Sequence, residues 1–230
     1  MTARGGRPDR GAALFDLDGT LVDTNYLHTL AWWQALRQHG HLVPMARIHR
    51  AIGMGSDRLL DAVLGSQRRR DEDASLSDAH STLYAVWYDV LPPFEAAADL
   101  LRAVAARGWR IVLASSAAEE EVAAIRRRLD AEDVITAATS GGDVDTTKPA
   151  PDLVESALKS VGAEPADAVF VGDTNWDVEA AGRAGVPCVG LLTGGRTRRE
   201  LEEAGAVAVY EDARTLLRHL DSSPLSRPPA

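Results

Sequence analysis

Six short apolar runs constrain this chain more than any other feature. They cover residues 12–16, 110–115, 134–138, 168–173, 187–192 and 206–210, and several close on a small or acidic residue. Each has the length of one buried β-strand, and each is continuously apolar rather than alternating. That is the pattern of strands covered on both faces. Longer amphipathic stretches separate most of them: residues 94–107, with Leu100, Leu101 and Val104 on one face and Gly108 as a C-terminal stop, then 117–129, 151–161 and 177–184. Alternating strands and helices predict an α/β fold with a doubly wound parallel sheet of Rossmann-like form.

Residues 24–92 break the alternation. No convincing strand occurs there. Leu27, Leu30, Ala31, Gln34 and Ala35 follow helical spacing, as do Leu59, Leu60, Val63 and Leu64, and a further helix is expected over 76–90. The expected organisation is a core domain of residues 12–23 and 93–221, interrupted by a small all-helical cap of residues 24–92. The connections fall after Leu21 and at Pro92-Pro93. Residues 1–11 and the proline-bearing 222–230 are expected as disordered tails.

Composition narrows the function classes. The formal charge is −9, with 45% hydrophobic and 26% charged residues, so a full core can form. The acidic balance argues against nucleic acid and against anionic membrane surfaces as partners. An anionic substrate must therefore be attracted locally, by a metal or by a few placed cations. One cysteine, Cys188, allows no intrachain disulfide. No run approaches a membrane span, and no signal-type apolar region follows the N-terminal arginines, so a cytoplasmic protein is expected.

Four positions carry chemistry. Asp16 and Asp18, in Phe15-Asp16-Leu17-Asp18-Gly19-Thr20, close the first strand. In open parallel sheets ligands bind beyond the carboxyl ends of the strands. Two close carboxylates repel, and a bound cation relieves them; an ordinary Asp-Gly turn is the plain alternative. Ser115 closes the second strand, where it can meet an anionic oxygen or cap the next helix, a task Ser116 would serve equally. Lys148 precedes Pro149 and is one of only two lysines. It is either a rigidly presented counter-ion or a solvated loop residue. Asp173 closes the strand at 168–173, and Asp177 follows it. Asp173 suits a hard-cation ligand and Asp177, a helical turn on, a supporting role; capping of the following helix by Asp173 or Thr174 is the alternative.

The combination resembles the haloacid dehalogenase-like hydrolase superfamily, in its branch of phosphoglycolate phosphatases and β-phosphoglucomutases. The matching motifs are Asp-x-Asp-Gly-Thr, a strand-end serine, Lys-Pro-x-Pro and Gly-Asp-x-x-x-Asp, with a helical insert where that branch carries its cap. The resemblance implies an Mg²⁺-dependent phosphatase of small phosphate monoesters, such as phosphoglycolate or a sugar phosphate, with Asp16 as covalent nucleophile and Asp18 as general acid and base. It implies Mg²⁺ at Asp16, the Asp18 backbone carbonyl and Asp173, supported by Asp177. It implies phosphoryl binding by Ser115, Lys148 and backbone N–H groups near Gly19 and Ser116. Asn25, His28, Trp32 and Arg58 are the candidate cap contacts to substrate, and a monomer or homodimer is expected.

The alternative is a β-phosphoglucomutase-like sugar-phosphate mutase. Such mutases use a cap lysine, and residues 24–92 contain none. A non-catalytic binding protein on the same fold would have lost the nucleophile, the acid or a metal ligand, and here all are present.

Overall fold

The computed structural model describes residues 11–143 and 146–228. Six strands form one sheet: β1 (Ala12–Phe15), β2 (Arg110–Ala114), β3 (Ile135–Thr139), β4 (Ala168–Gly172), β5 (Cys188–Leu191) and β6 (Ala208–Tyr210). Their spatial order is β3-β2-β1-β4-β5-β6, and every pairing is parallel. All six sequence-predicted strands are present. The order reverses at β1, which lies between β2 and β4, and this reversal opens a crevice beyond the carboxyl ends of those three strands.

Both faces of the sheet are covered, as continuous apolar strands require. Leu14, Val112 and Phe170 lie in a buried cluster with α7 (Asp152–Val161) and α8 (Asn175–Arg183). Phe15, Ile111 and Val171 lie in the opposite cluster with α5 (Ala97–Ala105) and α6 (Glu119–Leu129). Two short helices not anticipated from sequence, α9 (Arg198–Ala204) and α10 (Ala213–Arg218), complete the layers. Each spans at most two turns, too short for a clear helical period.

Residues 25–84 form four helices: α1 (Asn25–Gln38), α2 (Met45–Ala51), α3 (Ser56–Leu64) and α4 (Asp73–Tyr84). They enclose their own cluster, including Trp32, Leu36, Ile48, Leu59, Leu60 and Leu76. The helix α2 was not expected, and α4 ends earlier than the sequence implied, giving way to a 3-10 turn at Ala85–Trp87. Asp23 N donates to Pro92 O at 2.9 Å, so the two connections to the sheet run side by side.

Two expectations need correction. Residues 222–228 are not a free tail: Leu225 is fully buried in the core, and Trp109 Nε1 donates to its carbonyl at 3.1 Å. Gly11 is likewise buried, and its carbonyl accepts from Arg110 N at 3.0 Å; residues 1–10 and 229–230 lie outside the described residues. Arg68 is held by Asp61 and Asp73, the latter at 2.7 Å.

Candidate active site

The carboxyl ends of β1, β2 and β4 bring Asp16, Ser115 and Asp173 together, and the loop before α7 adds Lys148. All four are buried. Lys148 Nζ contacts Asp16 Oδ1 and lies 2.6 Å from Asp177 Oδ1. Burial alone would lower the Lys148 pKa; the two carboxylates outweigh it and raise it, so the ammonium is firmly charged.

Asp177 is placed by helix capping. Thr174 is the N-cap of α8, and its hydroxyl and amide both donate to Asp177 Oδ2, at 2.6 and 2.9 Å. This leaves Oδ1 for Lys148. Thr174 therefore caps the helix, and the cap aims the Asp177 carboxylate at Lys148. Gly172 has no room for a side chain, since a Cβ would sit 2.5 Å from that of Asp177.

Asp16, Asp173 and Asp177 offer carboxylate oxygens that all lie within 4.8 Å of one another. Burial, then Asp177, pushes the Asp173 pKa up to about 7, although Thr20 and Asn25 hydrogen-bond it. Thr20 Oγ1 donates to its Oδ1 at 2.7 Å and Asn25 Nδ2 to its Oδ2 at 2.9 Å. Burial likewise raises Asp16, with Lys148 opposing. Three carboxylates against one ammonium leave a negative excess, and the oxygen-only donor set fits a hard divalent cation.

Asp18 belongs to a second cluster. His28 Nε2 lies 3.1 Å from Asp18 Oδ1, to which it is hydrogen-bonded, and 3.1 Å from Glu121 Oε1, an ion-pair contact outside hydrogen-bond geometry. Thr24 Oγ1 also donates to Asp18 Oδ1, at 2.6 Å. Burial opposes ionisation of Asp18, but the charge and hydrogen bond of His28 outweigh it and the pKa is lowered. Burial opposes protonation of His28 in turn, yet Glu121 and Asp18 raise it to about 10. His28 also stacks on Tyr84 and bonds His80 through Nδ1 at 3.2 Å. Burial and the neighbouring His28 charge drive His80 well down, so it is neutral.

A cavity between the helical insert and the sheet edge is lined by Asp16, Asp18, Ser115, Ser116 and Lys148 on one side. His28, Trp32 and His80 line the other. Ser116 Oγ is buried without a hydrogen-bond partner, whereas Ser115 Oγ accepts from Ala117 N at 3.1 Å. Three expected contacts lie elsewhere. Asn25 is directed at Asp173 rather than into the cavity. Arg58 is half-exposed beside Asp57. The Gly19 N–H is donated to Val22 O at 2.8 Å, closing a turn with φ +79°, and does not face the cavity. Sequence reasoning missed Glu121, His80 and Thr20. Helical phase could have found Glu121: Glu119 and Glu120 are exposed while Glu121 points inward.

The fold is a Rossmann-like doubly wound parallel sheet with an acidic, lysine-bearing site at its switch point. The sequence model of the haloacid dehalogenase-like hydrolases matches residues 11–185, and the chain belongs to that family. It is 32% identical to the phosphoglycolate phosphatase of Rhodospirillum rubrum, over 89% of this chain and 88% of that one. A hydrolase from Pseudomonas syringae superposes with a TM-score of 0.87 at 34% identity, covering 92% of this chain and 98% of that one. The β-phosphoglucomutase from Clostridium difficile shares the fold, with a TM-score of 0.78 at 20% identity and coverage of 89% and 92%. The protein is an enzyme of the phosphatase class acting on small phosphate monoesters. Among the described residues no helix is long and apolar enough to cross a membrane.

Proposed function

We propose that the protein is an Mg²⁺-dependent phosphatase whose reaction passes through a phosphoryl group carried covalently on Asp16, with phosphoglycolate, the substrate named for its relatives, or a sugar phosphate as the ester. The observation that carries this reading is the pairing of Asp16 with Lys148 inside a cluster of three carboxylates. Mg²⁺ would be held by Asp16 and Asp173, with the Asp18 backbone carbonyl, and when bound supplies charge neutralisation for the carboxylates and the phosphoryl oxygens.

The carboxylate of Asp16 forms a bond to phosphorus as the bond to the leaving oxygen breaks. Asp18 gives that oxygen a proton. Water then attacks phosphorus, Asp18 takes its proton, and the Asp16 carboxylate is regenerated. The free site holds Asp18 as a carboxylate, ready for the second step. The first step needs a proton on it, and His28 Nε2, protonated and 3.1 Å away, is placed to deliver one. Lys148 draws charge from the phosphoryl group, while Ser115 and Ser116 border the same space. Residues 24–92 act as a cap that excludes water, turning on the paired connections at Asp23 and Pro92.

Phosphate release from small esters tests the reading. Turnover that vanishes with EDTA and in Asp16→Asn supports it; metal-independent turnover, or full activity in Asp16→Asn, overturns it. Isomerisation of a hexose 1-phosphate faster than phosphate release would place the protein among the mutases instead.

A further inference from the structure

The cavity outside the reacting groups has a chemical character that the reaction itself does not use. Its wall is apolar: Trp32, Ile52, Met54 and Leu59 line it. Its polar side chains are His80, which is neutral, with Ser81 and Glu121. No arginine lines it among the described residues. Among the described residues, the two cations that reach the cavity are already engaged, Lys148 by Asp16 and Asp177, and His28 by Asp18 and Glu121. Ser56 at the start of α3 faces the same space, but the first turn of that helix already carries the Asp57 carboxylate.

Glu121 is the informative group. It is 6% exposed, it lines the cavity, and its Oε1 meets the charged His28 only side-on, 3.1 Å from Nε2 and outside hydrogen-bond geometry, so it keeps acceptor capacity. A buried carboxylate oxygen with unused acceptor capacity costs free energy unless a ligand supplies a donor. A leaving group with a hydroxyl or an ammonium supplies one. A leaving group with a carboxylate or a second phosphate brings like charge against Glu121 and Asp18 and finds no free cation.

We propose that Glu121 is a specificity-determining residue that accepts a hydrogen bond from the leaving group, so that the substrate is a monophosphate of an uncharged polyol or sugar, or of an amino alcohol, and esters with an anionic leaving group are rejected. This rests on the phosphatase reading above and decides between its two substrate candidates: phosphoglycolate, whose leaving group bears a carboxylate, is disfavoured. The relatives' name does not carry over to the substrate on this account, because Glu121 and the apolar lining set the preference.

The test is kcat/KM of the Mg²⁺-supplied enzyme for glycerol phosphate, ethanolamine phosphate and 2-phosphoglycolate, which are similar in size. The neutral or cationic ester is expected to exceed 2-phosphoglycolate by about tenfold or more. Glu121→Gln, which keeps an acceptor but removes the charge, should narrow that ratio, mainly by lowering KM for 2-phosphoglycolate. The wild-type ratio decides the point if the variant does not fold. Equal or better use of 2-phosphoglycolate by the wild type overturns the role of Glu121 and leaves the phosphatase reading standing. A folded Glu121→Gln with an unchanged ratio also overturns it. Phosphate release from none of the three, nor from any other small ester, overturns the phosphatase reading itself.

Discussion

Lys148 Nζ lies 2.6 Å from Asp177 Oδ1, and both side chains are almost wholly removed from solvent. The same ammonium meets Asp16, so one cation holds two buried carboxylates from different segments in register. Removing one member of a buried ion pair leaves an uncompensated charge. Lys148→Met is therefore expected to destabilise the metal-free protein by about 3–5 kcal/mol in a urea titration. With Mg²⁺ present, its kcat should fall by about a hundredfold or more, because the charge that faces the phosphoryl group is lost.

The carboxylate cluster makes stability depend jointly on pH and metal. The folded-state pKa of Asp173 is raised to about 7 from an ordinary value of 3.8. The folded protein therefore binds more protons than the unfolded chain between these values, and stability falls as pH rises through that window. A cation that binds the ionised carboxylates reverses this loss. The increase in Tm produced by Mg²⁺ is expected to be larger at pH 8 than at pH 5, as measured by thermal unfolding with and without the ion. An equal shift at both values would separate Asp173 from the metal.

Asn25 was expected to touch substrate, and instead it donates to Asp173 at 2.9 Å. Groups that orient a metal ligand tune affinity for the ion rather than for the substrate. Asn25→Ala should raise the Mg²⁺ concentration for half-maximal activity about tenfold or more, with little change in KM for the ester at saturating Mg²⁺. A change confined to the substrate KM would restore the cap-contact role.

Thr174 joins the fold to the site through one hydroxyl. It caps α8 and fixes Asp177. Thr174→Ala is expected to cost about 1 kcal/mol of stability. It should also lower kcat, since Asp177 is freed to turn from Lys148; Thr174→Ser, which keeps the hydroxyl, should recover both.

These residues also show what a sequence of this kind makes legible. Asp16, Ser115 and Asp173 stand out because a parallel sheet turns each apolar run into a strand whose carboxyl end reaches one edge, and polar residues there have few structural reasons to recur. Lys148 stands out because lysine is rare in this chain. The six strands were legible for the same reason of continuous apolarity. The helices α2, α9 and α10 were not, because seven residues or fewer hold no clear period. The directions of Asn25 and Gly19 depend on a tight turn after Asp18, where hydrogen bonds to Val22 and Asp173 decide the outcome and spacing does not. Glu121 was hidden in a run of three glutamates, only one of which is buried. His80 lies in α4, and only the packing of α4 against α1 brings it to His28.

The most direct test of the account is to look for the phosphoryl group on the chain. Enzyme mixed with Mg²⁺ and a rapidly cleaved ester, quenched in acid within one turnover and digested, should yield a phosphorylated peptide containing Asp16. The label should be released by hydroxylamine, as an acyl phosphate is, and should be absent in Asp16→Asn. Phosphate release at full rate with no covalent label on Asp16, or with the label on another residue, would contradict it.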